Sequence, residues 1–99
     1  MKNRLLLRRR AKADVRSAAR WCELQRPRLG REFVAEVDAA LSRVAENPLQ
    51  YQVLHRETRR AIVHRFPYGV FYRIEARGIV VFGVRHLHRD PTSQKARVG

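Results

Sequence analysis

Phe33-Val34-Ala35-Glu36-Val37-Asp38-Ala39-Ala40-Leu41-Ser42-Arg43-Val44-Ala45-Glu46-Asn47-Pro48 decides the fold. Phe33, Val37, Ala40, Leu41 and Val44 recur at helical spacing and make one continuous apolar stripe. Glu36, Asp38 and Arg43 take the other side. Asn47-Pro48 ends the helix, because asparagine tolerates a left-handed cap and proline cannot continue. Beyond Pro48 the hydrophobic period drops from helical to two, the period of a strand. A helix that hands over to strands at one dipeptide places the chain in the α+β class.

Working back from that stretch, Val15, Ala18, Ala19 and Cys22 form a second helical stripe, with Arg16, Arg20 and Glu23 opposite. The spacing predicts a helix over 11–24 with no Ser or Thr cap at its start. Pro27 and Gly30 then punctuate a link of about five residues before the helix that ends at Glu46. Two such helices form an antiparallel hairpin. Residues 3–8 read as a short strand bounded by charge.

Working forward, 51–54 is a strand candidate and 58–65 a clearer one, with β-branched Ile62 and Val63. Phe66-Pro67-Tyr68-Gly69 reads as a turn. Val70, Tyr72 and Ile74 then share one strand face, and Phe71, Arg73 and Glu75 the other. After a turn at 76–78, residues 79–85 are apolar on both faces and read as a central strand. The expected architecture has β-α-α-β-β-β order. Its helix hairpin packs on one face of a small, mainly antiparallel sheet that the first strand joins.

The charge is uneven. Between Ala11 and Glu46, seven basic residues stand beside six acidic ones; the two flanking segments hold fifteen against three. The expectation is a positive field on the strand side, which attracts nucleic acid or an acidic protein segment. At 99 residues the chain makes one domain, 1–99. Its 44% hydrophobic content excludes a disordered tail. A single cysteine, Cys22, excludes an internal disulfide and suits a reducing cytoplasm. No apolar run approaches the roughly 18 residues of a membrane span. Leu5-Leu6-Leu7 is too short for a signal-peptide core, so the expected location is cytoplasmic with no membrane partner.

Five segments resemble the RelE/ParE toxin superfamily, and most closely its ParE-like, plasmid-stabilisation branch. They are Ala13-Asp14-Val15, Gln25-Arg26-Pro27-Arg28-Leu29-Gly30-Arg31-Glu32-Phe33, Glu46-Asn47-Pro48 with Tyr51, Arg65-Phe66-Pro67-Tyr68-Gly69-Val70-Phe71-Tyr72, and His86-Leu87-His88-Arg89-Asp90-Pro91. The resemblance covers nearly the whole chain. It implies the toxin half of a type II toxin–antitoxin pair, held inactive by an antitoxin whose acidic C-terminal segment folds on it. It leaves two targets open. ParE-like members poison DNA gyrase, and RelE-like members cut mRNA on the ribosome. A degenerate member that only binds its antitoxin is a third reading.

Metal-free RNA cleavage needs cations on the scissile phosphate and a proton-transfer group beside it. By resemblance, a RelE-like nuclease would carry an arginine where Gly69 stands, another at Arg89, and a tyrosine where Thr92 to Lys95 lie. Only Arg89 matches. Relatives use His as the proton-transfer group, and His86 and His88 flank the right region, so the resemblance makes Arg65, His86, His88 and Arg89 the nuclease candidates. Candidates for target binding are Arg59, Arg60, Arg65, Tyr68, Arg73 and Arg89. Trp21, Phe33 and Val37 are candidates for an apolar antitoxin groove between the helix hairpin and the sheet edge. His86 and His88 lack a third ligand, so no metal and no cofactor is expected. Glu32 and Glu36 read as a solvated helix face and Cys22 as buried; there is no paired-carboxylate site, Gly-rich phosphate loop or Ser-His-Asp set.

Overall fold

The computed structural model describes residues 3–88. Strand β1 (Leu5–Leu7) leads into helix α1 (Arg9–Gln25) and helix α2 (Leu29–Glu46). A single 3-10 turn at Pro48–Gln50 precedes strands β2 (Val53–His55), β3 (Thr58–Ile62), β4 (Tyr68–Glu75) and β5 (Gly78–His86). The five strands form one sheet in the order β1-β5-β4-β3-β2. β1 runs parallel to β5, and every other pair is antiparallel. The chain thus has the expected α+β architecture, with one more strand than the expected order.

Both helices lie on one face of the sheet. Their stripes meet the inward residues of the strands in a core that includes Cys22, Phe33, Val37, Val44, Val70, Tyr72, Ile79 and Val81. Phe33 is fully buried, with its ring edge-on to Phe66 at 5.2 Å and to Tyr68 at 4.9 Å. Tyr72 is buried and donates its hydroxyl proton to the Pro48 carbonyl at 2.6 Å, which anchors the end of α2 to the sheet.

The helix hairpin is tighter than expected, with only Arg26–Arg28 between its helices. Arg28 takes the left-handed conformation there, at φ 75°. No side chain of the link caps α2. Instead Glu23, near the end of α1, accepts the Arg28 and Gly30 backbone N–H groups at 3.0 and 3.1 Å. A cap supplied by a neighbouring helix leaves no mark in the local sequence. Gly30 allows a close approach of the helices: a Cβ built on it would stand 2.6 Å from the Ala19 carbonyl oxygen.

Three further expectations change. Asn47 sits at φ −147°, so it ends α2 without the left-handed cap. The turn of the β3–β4 hairpin falls at 63–67, and Tyr68-Gly69 already belong to β4, because Val63 N–H bonds the Tyr68 carbonyl at 2.8 Å. Glu32 and Glu36 are not a bare solvated face. Arg65, at φ 72° in that turn, reaches Glu32 at 2.6 Å and Glu36 at 3.7 Å, and Arg26 reaches Glu32 at 3.2 Å.

These contacts predict an acid limit. Hydrogen bonds from Arg65 and Arg26 hold the Glu32 carboxyl below its ordinary range, and the Arg28 and Gly30 N–H groups do the same for Glu23. A carboxylate depressed on folding contributes stability that is complete above its unfolded pKa and lost as pH falls through the folded one. The thermal midpoint should therefore fall on acidification below about pH 4.5. In Glu23→Gln/Glu32→Gln the midpoint should start lower at pH 7 and fall less. Midpoint curves of the two proteins that stay parallel from pH 7 to 3 would refute this.

Candidate functional site

The sheet face away from the helices carries the distinctive chemistry. Cross-strand partners share a face, and the register pairs Arg60 with Phe71, Gly69 with Arg85, and Arg73 with Val80. Arg60, Arg73 and Arg85 therefore stand together on β3, β4 and β5. The Arg85 guanidinium carbon lies 5.8 Å from the centre of the Phe71 ring, and that of Arg73 lies 6.0 Å from the Phe82 ring. Phe71 and Val80 are buried although no helix covers them. Arginine stems can shield such residues while their charged heads stay wet. Two glycines make room for those stems. A Cβ on Gly69 would meet Arg60 Cγ and Cδ at 3.0 Å, and one on Gly83 would meet Arg85 Nε at 3.1 Å.

Arg8 joins this face beyond β1. Together with Arg73, Glu75, Val80 and Phe82 it lines a hollow of about 230 Å³. Among the described residues, Arg8, Arg60 and Arg73 have no carboxylate within ion-pairing distance, and Glu75 is held by Arg77 at 3.3 Å.

The remaining candidates scatter. Arg59 faces the helix side, where it donates to the Tyr51 carbonyl at 2.6 Å and the Leu49 carbonyl at 3.3 Å; it fastens the loop before β2. Arg65 is committed to α2, as described above. Tyr68 is buried on the helix side against Phe33 and pairs with His86, ring centres 5.1 Å apart. His88 donates its backbone N–H to His86 Nδ1 at 3.1 Å, and the two imidazoles lie 5.9 Å apart. No group of three metal-ligating side chains occurs among the described residues. The Tyr72 phenol, pushed up to about 12 chiefly by burial, is no proton-transfer group near neutral pH. Arg89 lies outside the described residues.

A second feature is a cleft of about 370 Å³ between α1 and the end of β5. Asp14, Ser17, Ala18, Trp21, Tyr68, Val84, Arg85 and His86 line it. Trp21 is 44% exposed there. Asp14 accepts the Val84 N–H at 3.0 Å, which satisfies part of the strand edge that β1 is too short to cover. Phe33 and Val37 are corrected as antitoxin contacts: both are core residues, 0% and 1% exposed, and present no surface to a partner.

Sequence reading missed Arg85. A β-bulge at Phe82-Gly83 breaks the alternation of β5, so residues 79 and 81 face the helices but 84 and 86 do so after it. Without the bulge Arg85 would point into the core. Glycine next to an aromatic in a central strand was the available signal.

A family model described as the ParE toxin of the type II toxin–antitoxin system, parDE, matches residues 5–91. The chain belongs to the ParE toxin family. A search of curated proteins found no match. Among solved structures, one titled "Chromosomal ParDE TA system from P. aeruginosa" is similar in fold, with a TM-score of 0.74 at 15% identity. The match covers 83% of this chain and 92% of that one. Membership of the ParE family implies an antitoxin as partner. No helix among the described residues is long and apolar enough to cross a membrane.

Proposed function

We propose that this chain is a toxin that inhibits DNA gyrase by binding, doing no covalent chemistry itself, and that a cognate antitoxin with an acidic C-terminal segment neutralises it. It acts in the cytoplasm, where gyrase works on DNA, and its pairing with an antitoxin serves plasmid stabilisation. One observation carries the choice of binding over cleavage. The direct cross-strand partners of Arg60, Arg73 and Arg85, which are Phe71, Val80 and Gly69, carry no imidazole and no phenol, and the imidazole on that face, His55, pairs with Thr58 out on the edge strand β2. Tyr68 and His86 stand on the helix side instead. Among the described residues, the arginine cluster holds phosphates or carboxylates with no proton-transfer group in direct register beside it, where phosphodiester cleavage needs one.

The cleft beside Trp21 supports the antitoxin half of the reading. It offers an exposed aromatic and an incompletely covered strand edge to a segment that folds as it binds. The net charge of +13 favours fast, salt-sensitive encounter with an acidic partner.

The test uses the purified chain, gyrase, ATP and supercoiled plasmid. Protein-linked linear DNA is expected after denaturation, and none when the antitoxin is present. Normally supercoiled product without trapped cleavage would overturn the gyrase reading. Codon-phased cuts on mRNA in a translating extract would move the target to the ribosome.

A further inference from the structure

We infer that the arginine face of the sheet binds the phosphodiester backbone of duplex DNA, with Arg60, Arg73 and Arg8 as its contacts. The inference deepens the gyrase reading and rests on it only for the setting in which the chain meets DNA.

Three observations support it. The first is placement. Arg60, Arg73 and Arg8 come from β3, β4 and the residue after β1, and so span four neighbouring positions in the sheet order. At about 4.8 Å per strand the row is about 14 Å wide. Charge spread over that width suits a polymer that carries a negative charge at every unit.

The second is preparation. Arg73 and Arg85 lie over phenylalanine rings, and the stem of Arg60 fills the space above Gly69. A guanidinium held over a ring loses less freedom when it binds, and Arg73 has no carboxylate within ion-pairing distance among the described residues. The side chain that Gly69 lacks is thus replaced from the next strand: Arg60 occupies the place that a residue at 69 would fill.

The third separates DNA from an acidic peptide. A peptide on a sheet gains most of its affinity from strand addition at an open edge or from apolar pockets. The segment of β4 that carries Arg73 is interior, between β5 and β3, whereas Arg85 lies on β5 beyond the residues 79–81 that β1 covers, so Arg60 and Arg73 carry the distinction. What the face presents is guanidinium edges, and the one carboxylate lining its hollow, Glu75, is engaged by Arg77.

The experiment is fluorescence anisotropy of a labelled 20-base-pair duplex with the full chain, without gyrase, from 50 to 300 mM salt. Arg60→Gln/Arg73→Gln should weaken binding about tenfold and flatten the log Kd against log salt slope by about 1.8. Arg16→Gln/Arg20→Gln, on the exposed side of α1, removes the same charge and should change Kd less than twofold. Thermal midpoints within a few degrees of the parent would confirm that both variants fold. Equal losses in the two variants would mean diffuse attraction and overturn the assignment. So would the absence of duplex binding at 50 mM salt, or equal affinity of the face for a glutamate 20-mer. Trapping of gyrase by a parent chain that shows no duplex binding would sink this inference alone; duplex binding without trapping would sink the gyrase reading alone.

Discussion

Gly30→Val is expected to destabilise this chain by about 3 kcal/mol and to lower its thermal midpoint by about 12 °C or more. Helix propensity argues the other way, since glycine inside a helix is about 1 kcal/mol worse than alanine. Packing decides the sign. The missing Cβ would sit 2.6 Å from the Ala19 carbonyl oxygen, a backbone atom of α1 that moves only if the helix moves. Parting the helices at that point would also pull Gly30 N–H and Arg28 N–H from the Glu23 carboxylate. Overpacking of this kind typically costs about 1–3 kcal/mol and occasionally more. Valine adds two methyl groups beyond the Cβ that already clashes. Gly30→Ala is the graded control: its midpoint should fall, with valine below it. If alanine raised the midpoint, as propensity alone requires, the close crossing at Gly30 would be wrong.

That crossing marks how far the sequence could be read. The helices were legible because their stripes are long and periodic and because Pro27, Gly30 and Asn47-Pro48 bound them. The alternation of 70–75 assigned Phe71 and Arg73 to a common face correctly. What stayed hidden depends on contacts between distant segments. The Glu23 cap, the Arg65 bridge to Glu32 and the Arg59 clasp on the 49–51 loop all join residues that no local pattern links. The site was less legible than the fold for the same reason. Of the arginines expected to meet the target, Arg60 and Arg73 share the open face, whereas Arg59 and Arg65 turn to the helix side. A type count of basic residues cannot make that division, because it depends on register and on one bulge.

Phe33→Ala should destabilise the chain by about 3–5 kcal/mol, the range for emptying a phenylalanine site in a core. Total stability for a domain of this size is about 5–15 kcal/mol, so much of the margin goes with one ring. The cost at Phe33 lies toward the upper end because neighbours lose a partner as well. Its edge-to-face contacts with Phe66 and Tyr68 tie α2 to the β3–β4 turn and to the first residue of β4. Tyr68 in turn meets His86 edge-on, at the end of β5 and in the wall of the α1 cleft. Emptying the Phe33 site therefore loosens the cleft from beneath. At roughly 4–8 °C per kcal/mol, the thermal midpoint should drop by at least about 12 °C. Trp21→Ala is the contrasting case: its side chain is 44% exposed, and truncation should move the midpoint by only a few degrees. The pair discriminates a core role from a contact role for Phe33. If Phe33→Ala melted like the parent while weakening antitoxin binding, Phe33 would be a surface contact after all, and the packing of α2 on this sheet would have to be redrawn.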